Sequence, residues 1–159
     1  MLIQQNVDGS NFNSSWAKYK VGFGDPRGNY WLGNELLSQL TANNRYKLRF
    51  DLQSRNNRNW YYAEYSTFRV LTEADNYRLQ VAGYSGNAGL DEFRDHNGQM
   101  FSTYDRDNDV SPGNCAANYG GGFWYSSCYR CNVNSVRKDW LGLPGGESLQ
   151  STRMWLQCK

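Results

Sequence analysis

An acidic, turn-rich segment at residues 105–115 constrains this sequence most. Asp105, Asp107 and Asp109 alternate along it, and a Pro-Gly pair and a cysteine follow. Alternating carboxylates in a turn direct oxygen atoms toward one centre. A hard cation such as Ca²⁺ takes six to eight oxygen ligands. The pattern therefore predicts either a metal loop or a strongly solvated turn.

The spacing excludes an EF-hand. Counted from Asp105, the sixth and twelfth loop positions hold Val110 and Ala116, whereas an EF-hand requires Gly and Glu there. Two interpretations stay open. One is a tighter calcium loop with the Asp107 and Asp109 side chains and backbone carbonyls of 111–113. The other is an acidic turn in which Asp and Asn side chains bond their own backbone.

The chain has 159 residues, which fits one domain. Aromatic residues make up 16% of it, and this balance favours a loop-rich β or α+β protein over a helical bundle. Residues 85–122 are rich in Gly, Asn, Asp and Ser, and a loop region of this length is either functional or disordered. The aromatic residues within it, such as Phe101 and Tyr119, argue against disorder.

Hydrophobic periodicity predicts a sheet in the first half of the chain. Tyr46, Leu48, Phe50 and Leu52 alternate with polar residues, as in a strand with one buried face. Short polar turns between such runs favour an antiparallel meander. The other predicted elements are a short strand at 1–8, helices at 11–24 and 34–40, and strands at 60–71 and 77–82.

Charge and motifs exclude several function classes. The formal net charge is +2 with no basic block, so we expect no nucleic-acid partner. No apolar run approaches the ~20 residues that span a bilayer, so we expect no membrane insertion. His96 is the only histidine, no nucleophile or zinc-protease motif is present, and no acid/base pair is evident. We therefore expect a binding protein and not an enzyme, with His96 in a structural role.

Four cysteines lie in the last third of the chain: Cys115, Cys128, Cys131 and Cys158. An even number in a short chain indicates disulfides and an oxidising, extracellular compartment, although four cysteines allow three pairings. The Cys128-to-Cys131 spacing also permits a zinc site, but a zinc ribbon normally has a second close pair. The triplet Asn13-Ser14-Ser15 is a glycosylation sequon, which is consistent with secretion.

Several motifs together resemble the fibrinogen-like domains of fibrinogen, ficolins, tachylectins, tenascins and angiopoietins. They are 96–109 (HNGQMFSTYDRDND), 114–116 (NCA), 122–125 (GFWY) and the Cys128-Tyr129 pair. Upstream, 8–10 (DGS), 22–24 (GFG) and 30–35 (YWLGNE) match the same family in order. The resemblance runs from about residue 3 to the C-terminus.

The resemblance implies an α+β fold with a twisted antiparallel sheet, short flanking helices and a loop-rich, calcium-binding C-terminal subdomain. Within a single domain at 1–159, residues 1–7 would be the remnant of a first subdomain. Residues 8–84 would form the central sheet and helix part, and 85–159 the calcium and ligand-pocket part. The short first part indicates either a shortened chain or an unusually short member of the family. Family members cluster through an N-terminal stalk, so oligomers through such a region are possible.

Carried over by position, the resemblance implies a Ca²⁺ ion held by the side chains of Asp107 and Asp109 and the carbonyls of Ser111 and Gly113. Asp105 would support this shell. It also implies a disulfide between Cys115 and Cys128, worth on the order of 3 kcal/mol. The remaining cysteines, Cys131 and Cys158, are then predicted as a second pair, which the resemblance does not itself supply.

The family's ligand pocket lies beside the second of those cysteines. The resemblance implies a cis peptide bond at Ser127–Cys128 that directs the backbone N–H groups of Cys128 and Tyr129 at the ligand. In lectin members such donors hold an acetyl oxygen while aromatic side chains surround the methyl group. Tyr119 matches one of these aromatics, and Tyr129 replaces the usual histidine.

This sequence departs from the lectin pattern after the pocket. Asn132–Ser135 runs almost directly to Trp140, so a loop that supplies part of the acetyl pocket is shortened. The sequence therefore predicts one of two functions. The first is a secreted, innate-immune lectin that binds glycans or acetylated compounds on microbial or cell surfaces. The alternative is a protein-binding module of tenascin or angiopoietin type that contacts a receptor or matrix partner.

Overall fold

Strands from both ends of the chain lie side by side in one antiparallel sheet. The computed structural model describes residues 1–159. Its strands are β1 (Leu2–Asn6), β2 (Phe23–Gly24), β3 (Tyr30–Trp31), β4 (Tyr46–Ser54), β5 (Trp60–Val70), β6 (Leu79–Gly86), β7 (Cys131–Asn132), β8 (Lys138–Trp140) and β9 (Ser148–Cys158). The α-helices are α1 (Trp16–Val21), α2 (Asn34–Thr41) and α3 (Cys115–Tyr119), and short 3₁₀ turns lie at Glu73–Asp75 and Arg94–His96.

The order of the main sheet is β2-β3-β1-β9-β4-β5-β6, and β8 joins β7 to β9. The predicted meander is present as β4-β5-β6. The sheet is wider than the sequence pattern indicates, because β9 pairs with β4 and β1 pairs with the other edge of β9. Residues before 8 and after 84 therefore supply central strands. One twisted antiparallel sheet with three short α-helices confirms the α+β class.

The first helix is shorter than predicted. The sequence indicates a helix over 11–24, whereas α1 spans six residues, with the Ser15 side chain accepting from the N–H of Lys18 at its start. Gly22 ends it at φ 93°, a value that favours glycine. The next two residues then pair with β3 as strand β2. Phe23, which has helical spacing in the sequence, consequently belongs to the sheet.

The inner face of the sheet is covered by the long C-terminal segment. The ring of Phe93 packs 5.1 Å from Phe50 and 5.5 Å from Tyr65, and Trp140 packs 5.3 Å from Phe50. All four side chains are fully buried. Burial of large aromatic surface orders a region that contains little regular secondary structure. The loop-rich part is thus held by the sheet.

Strand β1 holds the loop that follows the last family motif. The buried Gln4 side chain donates to the Val133 carbonyl at 2.9 Å, and Asn6 donates to the carbonyls of Val133 and Ser135 at 2.9 and 2.8 Å. Buried amides of this kind stabilise only where their partners are in place. The N-terminal strand therefore fixes residues 133–135.

The longest α-helix has eight residues. A bilayer needs roughly 20 residues, and no helix here is long and apolar enough to cross one.

Candidate functional site

The carboxylates of the acidic segment accept hydrogen bonds from backbone N–H groups of the same segment and order it as a loop. One carboxylate oxygen of Asp109 accepts from the N–H of Ser111 at 3.0 Å, and the other accepts from the N–H of Cys115 at 3.0 Å. Asp107 accepts from the N–H of Asp109 at 3.2 Å. Partial burial, together with the neighbouring Asp107 carboxylate, raises the pKa of Asp109. The loop thus places two negative charges close together.

The donor set of this loop fits a calcium ion. Neither Asp107 nor Asp109 forms an ion pair, and the carbonyls of Ser111 and Gly113 accept no hydrogen bond from the protein. Two unneutralised carboxylates beside two unpaired carbonyls are hard oxygen donors of the kind that Ca²⁺ prefers. No group of three or more acidic, His or Cys side chains converges here, so carbonyls and water would have to complete the shell. Calcium binding itself stays a prediction.

Asp105 contacts residues outside the 107–113 loop. Its carboxylate accepts from the N–H of Trp16 at 3.0 Å and from the hydroxyl of Thr103 at 2.7 Å. The next residue, Arg106, lies over the Trp16 ring at 4.0 Å. The support that Asp105 would give to a calcium shell stays a prediction, and its observed contacts give this residue a structural role. It fastens the start of the acidic segment to helix α1.

A continuous covalent and hydrogen-bonded path leads from the acidic loop to the predicted ligand corner. The N–H of Cys115 donates to Asp109, and Cys115 forms a disulfide with Cys128. The Ser127–Cys128 peptide bond is cis. The N–H of Ser126 donates to the carbonyl of Cys128 at 2.9 Å and closes the turn. The acidic loop and the corner are thus one connected unit.

Two backbone donors at this corner are unpaired. The N–H groups of Cys128 and Tyr129 make no hydrogen bond within the protein, and both residues are only half-buried. By contrast, the N–H groups of Arg130 and Cys131 both point to the Nε2 atom of His96, at 3.1 and 3.3 Å. A pair of adjacent free N–H groups suits an oxygen acceptor on a ligand. The corner presents them where they can be reached.

His96 braces the corner from behind. Its Nδ1 atom lies 2.8 Å from the Trp124 carbonyl, so that nitrogen carries the proton and Nε2 is free to accept. The side chain is fully buried, and burial lowers the pKa of His96 to about 4. A structural role is confirmed. The segment that His96 orients lies directly after the corner, at Arg130 and Cys131.

An aromatic wall stands beside the free donors. The rings of Tyr119 and Tyr129 meet edge to face with centroids 4.9 Å apart, and Tyr119 is 45% exposed. The Tyr129 hydroxyl donates to Asp139 at 2.7 Å, and Arg137 contacts the same carboxylate oxygen at 3.2 Å. Burial and the Asp139 carboxylate raise the pKa of Tyr129. The orientation of Tyr129 is therefore fixed by this hydrogen bond.

Asp139 is a site residue that the sequence did not reveal. It is only 2% exposed, and its second carboxylate oxygen has no hydrogen-bond partner. A single aspartate between Lys138 and Trp140 is not part of any motif that would mark it as functional in the sequence. Only the fold shows that strand β8 places it behind Tyr129.

The corner opens onto a shallow surface. The structure has three cavities of roughly 310 to 410 Å³, and none is lined by Tyr119, Cys128 or Tyr129. This agrees with the shortened loop after Asn132, which would otherwise add a further wall. Of the predicted ligand residues, Tyr119, Cys128 and Tyr129 come together, and Ser127 is exposed at the edge.

The second predicted disulfide is wrong. Cys131 and Cys158 are both free, the first buried and the second exposed. Cys131 pairs with Trp140 through β7 and β8, close to where Lys138 meets Leu149 of β9. Cys158 lies nine residues further along β9, roughly 30 Å at the rise of an extended strand. A disulfide spans only about 6 Å between Cα atoms, so the pairing is impossible. The Cys115–Cys128 disulfide is confirmed.

The sheet, the disulfide-braced loop and the backbone-donor corner define a globular recognition module, and comparison with solved structures agrees. The fibrinogen-like globe domain of human ANGPTL2 superposes with a TM-score of 0.91 at 38% identity, over 99% of this chain and 79% of that one. Lamprey fibrin D-dimer, solved with the peptide ligand Gly-His-Arg-Pro-amide, gives a TM-score of 0.87 at 32% identity, over 98% and 60% of the chains.

The family described as "Fibrinogen beta and gamma chains, C-terminal globular domain" matches residues 1–146. Human ficolin-3 is 43% identical over 135 residues, which are 84% of this chain and 45% of ficolin-3. The chain therefore spans less than half of this curated relative, and a still smaller share of others that it matches. The chain belongs to the fibrinogen C-terminal domain family. It is a recognition or binding module of the fibrinogen-like type.

Proposed function

We propose that this domain is a secreted, calcium-stabilised lectin of innate immunity. It binds glycans or acetylated compounds on microbial or cell surfaces at the Cys128–Tyr129 corner. One observation carries the proposal: two adjacent, unpaired backbone N–H groups stand beside an edge-to-face pair of tyrosine rings. A carbonyl oxygen on the ligand accepts from the N–H groups, and its methyl group packs against the aromatic surface.

Calcium acts at a distance from the ligand in this proposal. The ion is held by Asp107, Asp109 and the carbonyls of Ser111 and Gly113, and it neutralises the two carboxylates. Asp109 then keeps the N–H of Cys115 in place, and the disulfide transmits this order to Cys128. The ion itself does not touch the ligand. Removal of calcium should therefore weaken ligand binding by loosening the corner.

Secretion is part of the same proposal. The family relatives ficolin, tenascin and angiopoietin-related proteins are secreted or extracellular. The Cys115–Cys128 disulfide requires an oxidising compartment to form and persist.

A second candidate function is a protein-binding module of tenascin or angiopoietin type. The shallow corner favours it, because a small ligand would be enclosed on fewer sides than in a deep pocket. Tyr119, at 45% exposure, offers a flat aromatic contact of the kind that is enriched at protein interfaces. The partner would be a receptor or a matrix protein.

An array of glycans and acetylated compounds, probed with and without EDTA, separates the two functions. The lectin requires binding that EDTA abolishes, that an acetylated sugar competes, and that the Tyr119→Ala variant loses. Tyr104→Ala is the matched control, since Tyr104 is similarly exposed at 47% and lies outside the corner. If the folded, calcium-loaded protein bound nothing on the array but still captured a receptor or matrix protein, the lectin function would be excluded and the alternative supported.

A further inference from the structure

The chain contains a single Asn-X-Ser/Thr sequon, at Asn13-Ser14-Ser15. Such a triplet is an acceptor for N-linked glycan in a secreted protein when it lies in a surface loop. Sequons arise often by chance, so the triplet alone is weak evidence for glycosylation. Its setting in the fold decides whether the folded protein can accommodate a glycan.

Asn13 has the setting that a glycan requires. Its side chain is exposed and makes no hydrogen bond to the protein. It lies in the turn between the buried Phe12, whose carbonyl accepts from the Tyr19 hydroxyl, and the start of α1. Both sides of the turn are thus anchored while the asparagine amide points to solvent. Substitution of that amide breaks no contact in the fold.

The adjoining surface offers room for the first sugars. A groove of about 410 Å³ runs beside this turn, lined by Asn11, Ser14, Lys18 and Phe23 among others. Polar and apolar surface contribute about equally to its lining, and the half-buried Phe23 ring is part of the apolar share. Polar groups next to an aromatic ring suit the hydroxyl edge and the apolar face of a sugar.

We propose that Asn13 carries an N-linked glycan that covers the groove beside α1. The inference rests on the secretory route included in the proposed function. The donor in this reaction is an oligosaccharide linked to a lipid pyrophosphate. The Asn13 amide nitrogen loses a proton and forms a bond to the anomeric carbon of the oligosaccharide. The bond from that carbon to the lipid pyrophosphate breaks, and the lipid pyrophosphate leaves. The glycan is bulky and solubilising, so it removes the α1 groove as a surface for protein partners.

Four variants of the sequon isolate the modification. The chain is expressed for secretion in cultured animal cells, and its intact mass is measured before and after peptide N-glycosidase F. We expect a glycan-sized mass excess in the wild type that the enzyme removes, with conversion of Asn13 to Asp. Asn13→Gln and Ser15→Ala should abolish the excess. Ser14→Ala and Ser15→Thr, which preserve the sequon, should keep it.

The controls separate modification from folding. Ser15→Ala also removes the side-chain cap of α1, whereas Asn13→Gln leaves the cap intact, so loss of glycan in both with an unchanged melting temperature in Asn13→Gln confirms the site. Secreted wild-type protein at its bare sequence mass would overturn the proposal, as would a mass excess that persists in Asn13→Gln. The measured mass does not depend on ligand binding, so an absence of binding on the glycan array would not contradict glycosylation of Asn13.

Discussion

The hydroxyl of Tyr129 donates a 2.7 Å hydrogen bond to the buried carboxylate of Asp139. Tyr129 belongs to the proposed ligand corner, and Asp139 belongs to the short strand β8 that joins the main sheet. This contact connects the corner to the sheet independently of the disulfide. It also supplies one of the few partners available to a carboxylate that is almost fully buried.

Removal of that hydroxyl should destabilise the fold. Tyr129→Phe leaves Asp139 with Arg137 alone, and a buried acceptor that loses a partner costs about 1–3 kcal/mol. We expect a lower urea midpoint with an unchanged slope. Tyr104→Phe is the control, because the exposed Tyr104 hydroxyl makes no hydrogen bond. Equal midpoints for Tyr129→Phe and wild type would show that the contact contributes nothing.

Calcium should stabilise the wild type through the acidic loop. At a concentration 100-fold above the dissociation constant, binding adds about 2.7 kcal/mol to the free energy of unfolding. Asp107→Asn should lose this rise in melting temperature. Asp105→Asn should retain the response while starting from a lower stability, since Asp105 bonds Trp16 instead of the loop. The reverse pattern, with the response lost only in Asp105→Asn, would contradict the assigned ligands.

Acid should weaken the corner through His96. Its pKa is about 4 in the fold against 6.5 ordinarily, so the unfolded chain binds the proton more readily. The contribution is therefore complete above pH 6.5 and is lost as the pH falls toward 4, about 3 kcal/mol in all. His96→Gln should show a flatter stability profile over this range. Because His96 is the only histidine, its single imidazole NMR resonance reports the pKa directly, and a midpoint near 6.5 would contradict the buried, neutral state.

The free cysteines should differ sharply in reactivity. Cys158 is exposed and Cys131 is buried, and burial raises the pKa of the Cys131 thiol. Thiolate character and access govern thiol reactivity. We expect Ellman's reagent to titrate one thiol per native chain and two after unfolding without reductant. Cys158→Ser should show none in the native state. Two thiols titrated in native protein would mean that β7 is not buried as described.

The sequence pattern was sufficient for the meander, and the family resemblance for one disulfide and one cis peptide bond. Strand β4 follows from the alternation of Tyr46, Leu48 and Phe50, because one face of that strand is buried from Leu48 onward. The Cys115–Cys128 disulfide and the cis bond before Cys128 came from the family resemblance and not from local pattern. Neither is visible in spacing alone, since both depend on contacts distant in the chain.

Strand β9 was not predictable from pattern. It is buried at Leu149, Met154 and Leu156, but Ser151 and Thr152 also occupy buried positions and interrupt the apolar alternation. The register shifts beside Leu149, which breaks the period further. The contacts of Asp105 were also not predictable from pattern. Alternation places three carboxylates on one side of an ideal strand, but the turn directs Asp105 to Trp16.

The pairing of β1 with β9 imposes an order on folding. Leu2 pairs with Trp155 and Asn6 with Thr152, so β1 cannot complete its pairing in this sheet until β9, which is synthesised about 150 residues later, is available. The β4–β6 hairpins need only residues 46–86 and can form while synthesis continues. Until β9 is made, β1 and one edge of β4 present unpaired backbone groups, the state in which sheets recruit wrong partners. The gap between β1 and β4 is therefore the point at which a nascent chain of this kind is most exposed to misassembly, and chaperone protection should matter most there.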